Sequence, residues 1–255
     1  MIDAFDVSGK NILITGATSG IGKAAALELS KAGARLALIS RNREKLDTTL
    51  QELHGFSHTV YSFDLKDIAG IENLLKLIIS ERGAFDGFVH CAGAMQMRPI
   101  QQNTFGFIHD MMLINFYAFM ELARVISKKN NHSERASFIG ISSVMSKKGE
   151  KSLSAYCASK GAMDSAIRAL AKELVMKNIR INGITPGYVK TKMLDEYVEL
   201  AGQDEFEKNV LTNQYLGLGD PIDIAHAIQF LLSDASSFIT GTSLKASLSL
   251  LQYTI

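Results

Sequence analysis

Cysteine is scarce: Cys91 and Cys157 are the only two in 255 residues. Two thiols cannot build a disulfide framework, and these two lack metal-ligand spacing. They read as reduced, partly buried thiols, no metal site is expected, and the expected compartment is the cytoplasm. Proline is nearly as rare, with three in the chain, and no low-complexity run interrupts it, so nothing marks a linker. An excess of one charge is also missing. Lys and Arg number 27 against 26 Asp and Glu, a formal net charge of +1. That argues against a strong global field for nucleic acid, and no nucleic-acid partner is expected. No uninterrupted apolar run reaches the roughly 18 residues of a spanning helix. The start, Met1-Ile-Asp-Ala-Phe-Asp6, is acidic and has no apolar signal core. Neither a membrane partner nor a secretory leader is expected.

What is present fits one soluble domain. The composition, 47% hydrophobic and 21% charged, supplies a substantial core. The length suits one large α/β domain over 1–255. Short apolar runs at 11–15, 35–40, 59–63, 85–90, 137–142 and 179–184, and a weaker one at 243–246, read as strands. Helical patterns fill the gaps at 20–32, 43–53, 67–81, 102–129, 155–177 and 221–233. Gly33 is a good helix stop. Asp220-Pro221-Ile222-Asp223 offers a cap, a proline at the first helical position and an early acid. Strands alternating with helices imply a doubly wound, Rossmann-like α/β fold: a seven-stranded parallel sheet with helices on both faces. Ligands of such sheets bind at the carboxyl ends of the strands. The motifs cluster there. Gly16 follows the first strand, Arg41 the second, Gly93 the fourth, Ser143 the fifth and Pro186 the sixth.

Gly16-Ala-Thr18-Ser19-Gly20-Ile21-Gly22 joins the first strand to the first helix. Glycine allows positive φ and close approach of a ligand. The helix N-terminus beyond offers unpaired N–H groups and partial positive charge to a pyrophosphate. A purely structural turn is the competing reading. The end of the second strand discriminates between dinucleotides, since an acid there would bind the adenosine ribose and repel a 2′-phosphate. Here Ser40-Arg41-Asn42-Arg43 contains no acid. Arg41 can pair with the phosphate and Ser40 can add a hydrogen bond. The expected cofactor is NADP(H). A solvated basic turn competes as a reading of Arg41 and Arg43. Asp64 and Leu65, closing the third strand, are candidates for the adenine; a plain turn competes for Asp64.

Tyr156 and Lys160 stand one helical turn apart, and Ser143 lies thirteen residues before the tyrosine. A Tyr-x-x-x-Lys pair alone is weak, because the chain has seven tyrosines. With Ser143 and the glycine loop it becomes a strong signal. Free tyrosine titrates near about 10 and is a poor base at neutral pH. A nearby ammonium and an oxidised nicotinamide ring both favour the phenolate. Lowering the phenol by about 3 units needs roughly 4 kcal/mol of differential stabilisation. Tyr156 would then give a proton to a carbonyl oxygen as hydride arrives and take one in reverse. Ser143 would hydrogen-bond the same oxygen.

These residues resemble the short-chain dehydrogenase/reductase family, over nearly the whole chain. Thr15 to Gly22 matches its cofactor loop. Ser143, Tyr156 and Lys160 match its catalytic serine, tyrosine and lysine in type and spacing. Asn115, in Leu113-Ile-Asn-Phe116, matches its fourth member, which helps hold a proton-relay water beside the lysine. The resemblance also gives Lys160 the nicotinamide ribose as a second partner. It gives Ala92-Gly93 the turn after the fourth strand, Pro186-Gly187-Tyr-Val189 a contact with nicotinamide, and Thr191 the carboxamide. It implies B-face hydride transfer and a homodimer or homotetramer packed through the two long helices. Two departures stand out. His90-Cys91 replaces the usual Asn-Asn, with His90 read as a structural substitute. The apolar tail Leu244 to Ile255 replaces the usual Val-Asp-Gly-Gly.

A substrate lid is expected at about 188–216, where Met193, Leu194, Tyr197, Val198, Leu200, Phe206, Val210 and Tyr215 suit an apolar substrate. Met95 and Met97 are read as facing the same pocket; helical packing explains the lid residues equally well. The first functional reading is an NADP(H)-dependent reductase of a small-molecule carbonyl, resembling 3-oxoacyl reductases, with the substrate borne on a carrier protein. Lys128, Lys129, Arg135, Arg168, Lys172 and Lys177 then offer a basic dock. The alternatives are a general alcohol, steroid or sugar dehydrogenase and a non-catalytic NADP(H)-binding regulator. An enoyl reductase is disfavoured because the family's enoyl reductases space tyrosine and lysine more widely.

Overall fold

The computed structural model describes residues 3–209 and 214–247. In chain order the elements are β1 (Asn11–Thr15), α1 (Gly20–Lys31), β2 (Arg35–Ser40), α2 (Arg43–Glu52), β3 (Thr59–Ser62), α3 (Ile68–Arg82), β4 (Phe85–His90), α4 (Phe105–Met112), α5 (Ala118–Ile126), β5 (His132–Ile141), α6 (Met145–Lys148), α7 (Ser154–Leu174), β6 (Ile179–Pro186), α8 (Lys192–Ala201), α9 (Gln203–Asn209), α10 (Pro221–Leu232) and β7 (Ser243–Ala246). Seven parallel strands form one sheet in the order β3-β2-β1-β4-β5-β6-β7. The order reverses between β1 and β4, which opens a crevice at their carboxyl ends.

Strand alternation divides the core. Leu13, Ile39, Phe88 and Phe138 face α3, α5 and α7, where Ile71, Leu122 and Ile167 meet them. Ile12, Ile14, Leu38 and Val89 face the other side, packing with Leu29 of α1, Leu46 of α2 and Ile228 of α10. Phe88 touches Phe138 and Phe119 at centroid distances of 4.6 and 5.9 Å. Local signals set the helix ends. Asp67 Oδ1 accepts the Gly70 amide at 3.0 Å to start α3. Pro221 is the first residue of α10, and the Asp223 carboxylate accepts the Asp220 amide at 2.8 Å. Gly33 has φ +81° just past α1.

Several bounds differ from those expected. The pattern at 102–129 is not one helix. A 3-10 turn (Ile100–Gln102), α4, a π turn (Leu113–Tyr117) and α5 succeed one another. In the π turn the Ala118 amide reaches back five residues to the Leu113 carbonyl, so one extra residue is accommodated. Strand β5 begins at His132, not 137, because its register with β4 shifts between Phe85 and Gly87. Helix α7 ends at Leu174 and tightens into a 3-10 turn, which Asn178 closes at φ +56°. The short α6 follows Ser143, and the segment expected to form a lid carries α8 and α9. Val210 and the tail at 248–255 lie outside the described residues.

Candidate active site

The glycine loop is a close backbone contact. Gly16 has φ +67° and Gly20 has φ +50°, conformations that disfavour a side chain. A Cβ on Gly16 would stand 2.7 Å from the Ala92 nitrogen, and one on Gly22 would overlap the Gly16 carbonyl oxygen. The loop therefore presses on the turn after β4, and α1 points its N-terminus into the space left. Ser19, at the cap position, makes no side-chain capping bond. The Thr18 and Ser40 hydroxyls lie 3.0 Å apart, tying the loop to the end of β2.

A cleft of about 530 Å³ runs from this loop to the lid. Gly16, Thr18, Ser19, Gly20, Ile21 and Gly22 line one end, with Ser40, Arg41 and Leu65. Ala92 and Gly93 form the middle, and Ser143, Tyr156, Lys160, Pro186, Gly187, Val189 and Thr191 the other end. Two expected residues do not line it. Asp64 is exposed, and its Oδ1 accepts the Lys66 amide at 3.0 Å. Asn115 is fully buried behind the Gly93 turn. Its Nδ2 donates to the Ala94 carbonyl at 3.0 Å and to Ser159 Oγ at 2.9 Å, and its Oδ1 accepts the Ala94 amide at 2.8 Å. A Cβ on Gly93 would meet Asn115 Oδ1 at 3.1 Å and Lys160 Nζ at 3.5 Å. The asparagine thus holds the turn against which the lysine rests.

The reactive groups meet where β5 ends. Ser143 and Tyr156 line the cleft together, the serine near enough to favour the ionised form of the phenol, and the Ser143 hydroxyl oxygen accepts the Met145 amide at 3.2 Å. Lys160 Nζ lies 5.9 Å from the centre of the tyrosine ring and donates to the Ile141 carbonyl at 2.8 Å. Burial pushes the Tyr156 phenol up to about 12, which the nearby Ser143 hydroxyl opposes. Burial also draws Lys160 down to about 8, opposed by Cys91 and Asp164. The protein's own groups thus hold Tyr156 as a neutral proton donor. The lowering of the phenol expected from Lys160 is not found, because burial dominates.

The family departures have physical partners. His90 is fully buried between a hydroxyl and a carbonyl: Nδ1 lies 3.0 Å from Thr15 Oγ1, and Nε2 lies 3.0 Å from the Ile114 carbonyl in the π turn. Thr15 Oγ1 also accepts the Ala92 amide at 3.2 Å. The ring therefore carries its proton on Nε2, and burial pushes it down to about 3, so it stays neutral. Cys91 lines the cleft, but burial raises its thiol to about 12, which leaves it unreactive.

Three contributions were not read from the sequence. Arg43 turns away to Asp47, with Nε at 2.9 and 3.0 Å from the carboxylate oxygens. Lys45 takes its place beside Arg41 in the cleft wall. The signal was Asn42, whose Oδ1 caps α2 by accepting the Lys45 amide at 2.8 Å. That cap puts Lys45 in the first turn. Gln214 is buried and clasps Tyr188, with Oε1 accepting its amide and Nε2 donating to its carbonyl, both at 2.9 Å. In the lid, Met193, Leu194 and Tyr197 line the cleft with Met95, Met145 and Leu153. Val198, Phe206 and Met97 pack behind them. Leu200 and Tyr215 face outward, 63% and 61% exposed.

Comparison with known proteins agrees with this geometry. A family model described as enoyl-(acyl carrier protein) reductase matches residues 16–247. The 5-keto-D-gluconate 5-reductase of Escherichia coli (strain K12) is 31% identical over 245 residues, 94% of this chain and 95% of that protein. The 3-oxoacyl-(acyl-carrier-protein) reductase of Thermotoga maritima is 29% identical over 241 residues, 92% of this chain and 95% of that protein. Among solved structures, a Beutenbergia cavernae protein described as an NAD(P)-dependent gluconate 5-dehydrogenase, with bound NADP, aligns with TM-score 0.86 and 28% identity, covering 95% of this chain and 97% of that one. A 7α-hydroxysteroid dehydrogenase complexed with NADH and a 7-oxo bile acid aligns with TM-score 0.89 and 27% identity, covering 97% of each chain. The catalytic serine, tyrosine and lysine pattern, the glycine loop and these likenesses converge: the chain belongs to the short-chain dehydrogenase/reductase family of oxidoreductases.

Proposed function

We propose that this protein is an NADP(H)-dependent oxidoreductase that interconverts a ketone and a secondary alcohol, acting on an apolar substrate of the 3-oxoacyl thioester class. The observation that carries the reading is that Ser143, Tyr156 and Lys160 line one cleft with Arg41 and Lys45. The glycine loop suits a dinucleotide, because Gly16, Gly20 and Gly22 line the cleft at the N-terminus of α1 and Ser19 makes no side-chain capping bond there. The N-terminus of α1 suits the pyrophosphate. Arg41 and Lys45, without a facing acid at the end of β2, suit a 2′-phosphate. When bound, the nicotinamide supplies or accepts the hydride.

The chain's own residues handle the proton. Ser143 orients the phenol and donates to the substrate oxygen. Tyr156 gives its proton to that oxygen during reduction and takes it back during oxidation. Lys160 stabilises the phenolate that each reduction leaves. Asn115 and the Ile141 carbonyl hold the Gly93 turn and the lysine in place. Water is excluded by the lid core, where Leu194 and Tyr197 pack on Met145 and Leu153.

The wall facing Tyr156 is built from Met95, Met145, Leu153, Met193, Leu194 and Tyr197. Such a wall suits an acyl chain better than the hydroxyl-rich chain of a sugar acid. The one-turn separation of Tyr156 and Lys160 argues for carbonyl rather than enoyl reduction. The carrier-protein dock is narrower than the sequence suggests. Lys128 is paired with Glu72 at 2.8 Å, and Lys177 Nζ donates to the Ser127 carbonyl at 3.0 Å. Homodimer or homotetramer packing is supported by Phe105, Ile108 and Tyr117, apolar and exposed along the α4–α5 segment. No helix among the described residues is long and apolar enough to cross a membrane, and a cytoplasmic location is proposed.

The test is absorbance at 340 nm with purified protein, acetoacetyl thioester, 5-ketogluconate and an oxo-steroid, each with NADPH and with NADH. Turnover with NADPH and the thioester supports the reading. Preference for NADH would overturn the role of Arg41. Turnover of the sugar acid alone would move the substrate class to polyols.

A further inference from the structure

Asp164 is a buried carboxylate to which the mechanism above gives no task. It is 3% exposed and stands one helical turn beyond Lys160 on α7. Its oxygens accept one hydroxyl each: Ser146 Oγ donates to Oδ2 at 2.6 Å, and Ser243 Oγ donates to Oδ1 at 3.0 Å. A carboxylate buried among neutral donors is costly unless a cation lies near.

The segments it joins make the reactive end of the cleft. Ser146 lies in α6, and its amide donates to the Ser143 carbonyl at 3.0 Å. Ser243 opens β7, whose Ala246 carbonyl accepts the Gly187 amide at 3.2 Å. Helix α7 itself carries Tyr156 and Lys160. Glycine at 183, the ladder partner of Ser243, keeps the hydroxyl's place free: a Cβ there would stand 2.7 Å from the Ser243 hydroxyl.

The titratable groups around Lys160 are Cys91 and His90 at the end of β4, and Tyr156 and Asp164 on its own helix. Burial keeps Cys91, His90 and Tyr156 uncharged at neutral pH. Asp164 is the carboxylate in this group, buried on the same helix one turn from Lys160 without a direct ion pair, and from there it favours the ammonium form.

We propose that Asp164 is a positioning residue of the reactive centre: it clamps the Ser143 segment and strand β7 onto the helix of Tyr156 and Lys160, and it supplies the negative charge against which the ammonium is kept. Only the kinetic readout below rests on the ketone-reductase reading.

The test is carbon-13 NMR of lysine-labelled full-length protein, with the Lys160 signal identified by its loss in Lys160→Met. In Asp164→Asn the Lys160 titration midpoint falls by about one pH unit, a tenfold change in acidity. In the same variant kcat for ketone reduction falls about tenfold with little change in KM. Ser146→Ala keeps the carboxylate and cuts one tether. It leaves the midpoint in place and lowers kcat, which keeps the idea testable if Asp164→Asn does not fold. An unmoved midpoint with unchanged kcat in Asp164→Asn overturns the proposal, and so does full kcat in Ser146→Ala. A shifted midpoint in a protein whose wild type shows no turnover would support the role of Asp164 and refute the ketone-reductase reading.

Discussion

Gly16 and Gly22 touch backbone more closely than any side chain permits, whereas Leu194 and Tyr197 reach the same cleft from a helix that packs on a small side core. The cofactor half is made of main chain from β1, β2 and β4, held between both faces of the sheet. The substrate half is made of side chains on α8 and the loop after β4, clasped to the sheet by Gln214 on Tyr188. A backbone-built site constrains the sequence to glycine at fixed positions and changes little with anything else. A side-chain-built site can be re-lined without disturbing the fold. One half therefore identifies the family, and the other is where we propose the substrate is chosen.

The sharpest way to break that contrast is Gly22→Val. The added branch has no space against the Gly16 carbonyl, so NADPH binding falls by at least about 100-fold, while Leu194→Ala leaves it unchanged and raises KM for the ketone. Fluorescence titration with NADPH separates the two. Equal losses in both variants would erase the distinction.

Stability should divide the same way. Phe88 is fully buried in the central core, and Phe88→Ala costs about 3–5 kcal/mol of global stability. Phe206 belongs to the lid core, and Phe206→Ala opens the lid locally with a smaller global loss. Urea unfolding monitored by circular dichroism measures the first, and hydrogen exchange at α8 the second.

The pH dependence follows from the reactive pair. Lys160 sits at about 8 in the fold, below its free value of 10.5. The folded chain binds fewer protons there than the unfolded chain, so this group's penalty is complete below pH 8 and fades as pH rises to 10.5. Lys160→Met should therefore stabilise the protein by about 2–4 kcal/mol at pH 7 and by almost nothing at pH 10.5, while abolishing turnover. Chemical denaturation at the two pH values checks it. A gain equal at both would show that the ammonium carries no such penalty.

The smallest effect belongs to the cofactor's far end. Arg41→Ala should weaken NADPH binding by about 10- to 100-fold and leave NADH binding unchanged. Lys45→Ala should do the same more weakly, and Arg43→Ala should do neither, since its guanidinium is paired with Asp47.

How much was legible follows from the same division. The central strands were readable because β1, β2, β4 and β6 are apolar runs buried on both faces along most of their length, and the glycine loop because only glycine tolerates its contacts. Ser143, Tyr156 and Lys160 were found by spacing on elements whose period is known. The π turn was not, because an inserted residue at Leu113–Tyr117 leaves the apolar pattern nearly intact while shifting Asn115 onto Ala94 and Ser159. Lys45 was missed because nothing in the sequence pattern shows which base of α2 faces the cleft, while Arg43 pairs with Asp47 within the helix. Asp64 marks the limit of position alone: it stands at the strand end as expected, yet its carboxylate caps its own turn. Gln214 gave no signal, since its partners are the backbone of Tyr188, twenty-six positions away.

The central claim is that the Tyr156 phenol delivers the proton to a ketone oxygen. Single-turnover oxidation of bound NADPH by acetoacetyl thioester, compared between the wild type and Tyr156→Phe, tests it most directly. The account predicts a rate lower by about 10²–10⁴-fold in the variant, with NADPH affinity retained. Wild-type rates in Tyr156→Phe would contradict it.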